Sequence, residues 1–181
     1  ENVPYSPDPA LVALTPGAGP ALRCLGERGF RLIVVSNQAG GANGWFAERA
    51  LRAVELRIAE LLAPCGVAIE AFYYCVHSEE AGCSCRTPRP GLLRRASAEL
   101  GIALPASWLV GDILDDVEAA HRAGCRAALI MNGNETGWRY GTLRVPDVAA
   151  LSLEEAASQI VAAGDTSHLA AEGTDELQGR H

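Results

Sequence analysis

Along this chain, short unbroken apolar runs alternate with longer stretches whose apolar positions recur every three or four residues. The runs Leu32-Ile33-Val34-Val35, Trp108-Leu109-Val110 and Ala127-Ala128-Leu129-Ile130-Met131 predict strands covered on both faces. Between them, helical spacing links Ala18, Ala21, Leu22 and Leu25, with Gly29 placed to end that helix. A second helix is expected from about Phe46 to Leu62, with Leu51, Val54, Ile58 and Leu61 on one face. A third carries Leu92, Leu93, Ala96 and Leu100 on one side and Arg94, Arg95 and Glu99 on the other. Val67, Ile69, Ala71 and Tyr73 alternate, which predicts a strand leading into Cys75. A helix ending near Gly124 and a weak strand from Pro146 to Leu151 follow, then Ser152 and Glu155 form a capping box for a last helix. Strands alternating with helices in this way predict an α/β fold, a three-layer, Rossmann-like parallel sheet with helices on both faces. Residues 1–16 carry four prolines before any periodicity, so the chain is expected to begin as a loop.

Length and charge narrow the picture. A chain of 181 residues suits one domain, expected over 1–163, and the polar segment 164–181 is expected to be disordered. A net charge of -7, with Lys and Arg scattered, argues against nucleic acid or an anionic membrane as partner. No apolar run approaches the ~20 residues needed to span a bilayer, and the first residues do not read as a signal peptide. Clustered rather than dispersed cysteines point to a reducing, cytoplasmic compartment. A monomer is expected.

The cluster itself is Cys75-x-His77 and Cys83-x-Cys85 with five residues between the pairs. Three thiolates and one imidazole make a tetrahedral zinc set with no open position, which reads as structural. A disulfide or scattered reduced cysteines are the plainer alternatives. Arg86 leaves this loop ahead of Pro88 and Pro90, so a zinc knot would aim its guanidinium at a fixed point, fit for a phosphate or sugar oxygen. Without the knot, Arg86 would be an ordinary solvated arginine. Ser36-Asn37-Gln38 ends the first strand, at the sheet edge where ligands bind in open α/β folds. Gly111-Asp112-Ile113-Leu114-Asp115-Asp116 ends another, and its carboxylates suit a hard divalent cation such as Mg²⁺. Helix capping is the competing explanation of Asp115 or Asp116.

Taken in order, the strand with Ser-Asn-Gln, the Cys-x-His and Cys-x-Cys loop, Arg-x-Pro and Gly-Asp-x-x-x-Asp resemble the haloacid dehalogenase (HAD) superfamily of aspartate-nucleophile phosphatases. Within it, the zinc loop, standing in place of a large cap, is similar to that of the heptose bisphosphate and histidinol-phosphate phosphatases. Asn2-Val3-Pro4-Tyr5 and Asn132-Gly133-Asn134-Glu135-Thr136 resemble the heptose side. The resemblance implies a small phosphorylated sugar as substrate. It implies that Ser36, Asn37 and Gln38 face the transferring phosphoryl group, that Arg86 reaches the substrate, and that Asp112 binds Mg²⁺ with Asp116 in support. Catalytic roles would fall to Ser36, Asn37, Arg86 and Asp112, and Cys75, His77, Cys83 and Cys85 would hold Zn²⁺.

Three positions and one absent motif depart from the family pattern. Thr87 stands beside Arg86 where lysine is usual, Ile113 follows Asp112 where some members have lysine, and Asn43 replaces a common arginine. Most importantly, the Asp-x-Asp-Gly-Thr motif that carries the nucleophile is absent. The strand bearing it is the central one in this fold, so the sheet is expected to lack it and to leave two inner edges without partners. The sequence is therefore expected to be an N-terminally shortened form of a longer phosphatase, inactive as it stands. A non-catalytic, zinc-stabilised binding domain and a histidinol-phosphate phosphatase are the alternatives.

Overall fold

A computed structural model describes residues 8–38 and 45–172. The expected Asn2-Val3-Pro4-Tyr5 resemblance, Asn43 and the last nine residues lie outside the described residues. Pro9–Leu11 form a single 3₁₀ turn, capped by the Asp8 carboxylate on the Ala10 N–H. Then come helix α1 (Ala18–Glu27), strand β1 (Ile33–Asn37), helix α2 (Trp45–Leu62) and strand β2 (Ala71–Cys75). After the cysteine loop follow α3 (Gly91–Leu100), β3 (Trp108–Gly111), α4 (Leu114–Ala123), β4 (Arg126–Ile130), β5 (Val148–Ala150) and α5 (Leu153–Glu172).

Most boundaries fall within two residues of the periodicity. The second strand is the exception: Val67 and Ile69 alternate with smaller or polar residues, Ala68 and Glu70, yet pairing starts only at Ala71, where β2 comes alongside β1. The last helix also runs on past Gly164 to Glu172, into the stretch whose polarity predicted disorder. Its start is as expected, because Ser152 Oγ accepts from the Glu155 N–H at 3.1 Å. Glu155 in return caps the Leu151 N–H at 2.8 Å.

All pairing is parallel, but the strands form two sheets, β1-β2 and β3-β4-β5. Among the described residues β1 pairs only with β2, and β3 only with β4. Each therefore keeps one edge without a strand neighbour, as the missing central strand predicts. The two sheets nevertheless share one layer. Ala21 and Leu25 of α1 and Ala156, Ala157 and Ile160 of α5 bury one face, against which Phe30 and Leu32 pack from the β1 side and Trp108 and Val110 from the β3 side. The opposite face is covered by α3, through Leu92 and Ala96 against Ile33, Val35 and Tyr73, and by α4, through Leu114, Val117 and Ala120 against Leu109, Ala127 and Leu129. Between the two sheets Ile33, Val35, Trp108 and Leu109 line a groove of about 330 Å³.

Candidate active site

The residues singled out in the sequence gather into two half-sites at the carboxyl ends of strands. The first is built on β1 and β2. Cys75 is the last residue of β2 and has no exposed surface. Its sulfur lies 3.5 Å from that of Cys83 and 3.2 Å from that of Cys85, with Cys83 and Cys85 3.3 Å apart. His77 Nδ1 lies 3.7 Å from the Cys75 sulfur and 3.3 Å from the Cys85 sulfur. All four ligand atoms fall within 4.8 Å of one another. A tetrahedron with Zn–S arms of about 2.3 Å has edges of about 3.8 Å, so the set is sized for zinc, and all six cysteines are unbridged.

Charge in the set follows the hydrogen bonds. Burial works to raise the Cys83 thiol, but donation from Cys85 and from the Arg86 N–H outweighs it and brings Cys83 down to about 6. Burial, and donation to its two neighbours, push Cys85 up to about 12. A dication is what would let all three sulfurs ionise together.

The cysteine loop is then fastened to β1. Asn37 Nδ2 donates to Thr87 Oγ1 at 2.6 Å, and the Thr87 N–H returns a longer bond of 3.4 Å to Asn37 Oδ1. Gln38 Nε2 donates to Ser36 Oγ at 3.1 Å, and the Gln38 N–H extends the β1-β2 ladder to the Cys75 carbonyl. Arg86, half-buried, thus sits next in the chain to the residue that holds Asn37. The peptide bond between Thr87 and Pro88 is cis. Gly91 closes the loop: its N–H bonds the Ser84 carbonyl, and a Cβ there would lie 2.3 Å from that same oxygen, so only glycine lets α3 begin this close.

The second half-site is built on β3. Gly111 ends the strand without a side chain because Asp116 folds back beneath it; a Cβ would lie 2.4 Å from Asp116 Oδ2. Burial first, and the Asp112 charge second, push the Asp116 carboxyl up to about 6. Two carboxylates whose charges act on each other, one of them partly desolvated, are a fitting oxygen set for a hard cation. Capping accounts for part of this acidic pattern, since the Asp116 carboxyl also accepts the backbone N–H groups of Asp112 and Ile113, the residue that precedes α4. Glu135 Oε2, from a loop 21 residues on, accepts from the Leu114 N–H at the start of α4. Asp115 instead pairs with Arg144 at 2.6 Å.

Sequence reasoning singled out the loop after β4, Asn132 to Thr136, by its resemblance but gave it no contact with Asp112. Asn132 and Asn134 both donate to Asp112 Oδ2, at 3.2 and 2.6 Å. Glu135 Oε1 also accepts from the Gly137 N–H at 2.7 Å. Glycine and asparagine mark the segment as a turn, and nothing in its spacing shows that it folds back onto Asp112. Further along, Arg144 bridges Asp115 and Glu118, and His121 contacts the Leu143 carbonyl and Asp147 at 3.0 Å each. His121 thus anchors this loop and takes no part in the site.

The chain is similar to known proteins. Residues 84–156 match the family described as HAD-hydrolase-like. The D-glycero-beta-D-manno-heptose-1,7-bisphosphate 7-phosphatase of Pseudomonas aeruginosa is 35% identical over 144 residues, spanning 76% of this chain and 80% of the relative. Its counterpart from Bordetella bronchiseptica is 34% identical over 153 residues, spanning 81% and 84%. A crystal structure of the heptose bisphosphate phosphatase from B. bronchiseptica, complexed with magnesium and phosphate, superposes with a TM-score of 0.78 at 28% identity, covering 89% of this chain and 90% of that one. The corresponding enzyme from Burkholderia thailandensis gives a TM-score of 0.62 at 26% identity, covering 88% and 92%. Among the described residues no helix is long and apolar enough to cross a membrane.

Proposed function

The chain belongs to the HAD-like hydrolases, in the family of the D-glycero-D-manno-heptose-1,7-bisphosphate 7-phosphatases, and from that premise we propose that it binds heptose 1,7-bisphosphate and presents the 7-phosphate for hydrolysis. The observation that carries this reading is the fastening of the Cys75-His77-Cys83-Cys85 set to Asn37 through Thr87, which draws a zinc-type loop over one strand tip.

In this reading Zn²⁺ is structural and is held by those four residues, while Mg²⁺ is held by Asp112, with Asp116 beside it. The magnesium, when bound, offsets negative charge on the phosphoryl oxygens. The chain's own residues do the rest. Ser36 Oγ and Asn37 Nδ2 donate toward those oxygens at the end of β1. Asn37 is already oriented by Thr87, so little reorganisation is needed as substrate arrives. Arg86 supplies the cation next to Thr87, which cannot replace the lysine usual beside it.

The family's chemistry is in-line attack by an aspartate carboxylate on phosphorus. The P–O bond to the sugar breaks, the sugar oxygen takes a proton from a general acid, and water then hydrolyses the aspartyl phosphate. The 181 residues contain no Asp-x-Asp to supply nucleophile and acid. In this reading they belong to a parallel strand in the groove between β1 and β3, where it would satisfy both free edges.

The test is phosphate release with Mg²⁺ present, from heptose 1,7-bisphosphate and from histidinol phosphate. The 181-residue chain is expected to give none above blank. The same chain preceded by an apolar strand ending in Asp-x-Asp is expected to hydrolyse the heptose ester in preference. Turnover by the unextended chain, or preference for histidinol phosphate, would overturn the proposal. The missing Asp-x-Asp itself favours a second reading, a domain that binds the sugar phosphate without cleaving it; that reading prevails if the extended, folded chain stays inactive.

A further inference from the structure

The loop after β4 treats the two oxygens of Asp112 differently. Asn132 Nδ2 and Asn134 Nδ2 both donate to Oδ2, at 3.2 and 2.6 Å. The amides are themselves held: Asn132 Oδ1 accepts from the Asn134 N–H at 3.1 Å, and Gly133 takes a left-handed conformation, φ 89°, that lets the chain turn between them. Glu135 fixes the loop's position by capping Leu114 at the start of α4, the helix that carries Asp116. Two asparagines are thus spent on holding one carboxylate, and Glu135 on seating the loop that carries them.

An oxygen that accepts two amide hydrogens has no lone pair left to offer a cation. That restricts Asp112 to ligation through Oδ1 alone. One-oxygen ligation suits Mg²⁺, which demands octahedral geometry at short distance, whereas Ca²⁺ accepts a carboxylate through both oxygens. We propose that Asn132 and Asn134 are positioning residues that make Asp112 a single-oxygen ligand and so select Mg²⁺ over Ca²⁺ at the β3 tip. The proposal rests on the magnesium reading of Asp112 given above.

The experiment is calorimetric titration of the full 181-residue chain with Mg²⁺ and, separately, Ca²⁺, for the native sequence and for the double variant Asn132→Ala, Asn134→Ala. Melting temperature without either ion reports on folding. Loss of such orienting partners weakens metal binding about 10–100-fold, and that loss is expected for Mg²⁺. Ca²⁺, freed to use both oxygens, is expected to bind as well as before or better, so the Mg²⁺ to Ca²⁺ affinity ratio falls by about tenfold or more. If the double variant does not fold, Asn134→Ala alone, which removes the 2.6 Å bond, serves the same comparison. Equal weakening of both ions, or no change in either, overturns the selectivity role while leaving the magnesium site standing. A native chain that binds neither ion overturns the magnesium reading and this role together.

Discussion

Asp116 shows how a single side chain records the site it belongs to. A surface carboxylate titrates near 3.8, but this one is pushed up to about 6, by burial and by Asp112. Because the folded state holds the proton more tightly than the unfolded state, stability is greatest below the unfolded value and falls as pH rises through the window from about 4 to about 6. The loss is on the order of 1–3 kcal/mol at neutral pH without a cation. Asp116→Asn is therefore expected to flatten the pH dependence of urea stability across that window and to raise stability at pH 7 in the absence of Mg²⁺. Unchanged curves would show that Asp116 is solvated. In the sequence, the spacing Gly-Asp-x-x-x-Asp revealed that Asp112 and Asp116 belong together. The contacts of Asn132 and Asn134 with Asp112 and of Glu135 with Leu114 were out of reach because they span 20 to 22 residues and follow from a chain reversal that carries no periodicity.

At the scale of elements, the cysteine loop has no core of its own: apart from Cys75, Cys83 and Cys85, what holds residues 75–91 is the bonding of Asn37 to Thr87, Arg89 to the Cys83 carbonyl and Gly91 to Ser84. Removing a structural zinc from such a loop removes folding free energy directly. Exchange-mass spectrometry after chelation is expected to show fast hydrogen exchange spreading over residues 75–90, with α5 still protected. Loss of protection in α5 to the same degree would mean that the metal holds the whole domain, and no change in 75–90 would mean that zinc is not bound there. The clustering of Cys75, His77, Cys83 and Cys85 was legible because the four are close in sequence. β2 was less so: alternation at Val67 and Ile69 mimics a strand, but pairing depends on where β1 lies, which local pattern does not encode. Likewise the helix runs on past Gly164 to Glu172, and its last four residues, Leu-Ala-Ala-Glu, favour helix.

For the whole molecule, parallel order and layers followed from the alternation of apolar runs with amphipathic stretches, and two sheets in one layer followed from the absent Asp-x-Asp strand. What the sequence could not give is the joining of the two half-sites by a shared α1-α5 face while their strand edges stay apart. If both half-sites serve one ligand, their affinities are linked: magnesium at Asp112 must tighten phosphate at Asn37 and Arg86, and phosphate must tighten magnesium by the same factor. Titration of the zinc-loaded chain with inorganic phosphate, with and without Mg²⁺, tests this most directly. The account predicts that phosphate binds about 5–150-fold more tightly with Mg²⁺ present. That gain should be lost in Asp112→Asn, and binding itself should be lost in Arg86→Ala. Phosphate affinity indifferent to magnesium and to both substitutions would contradict it.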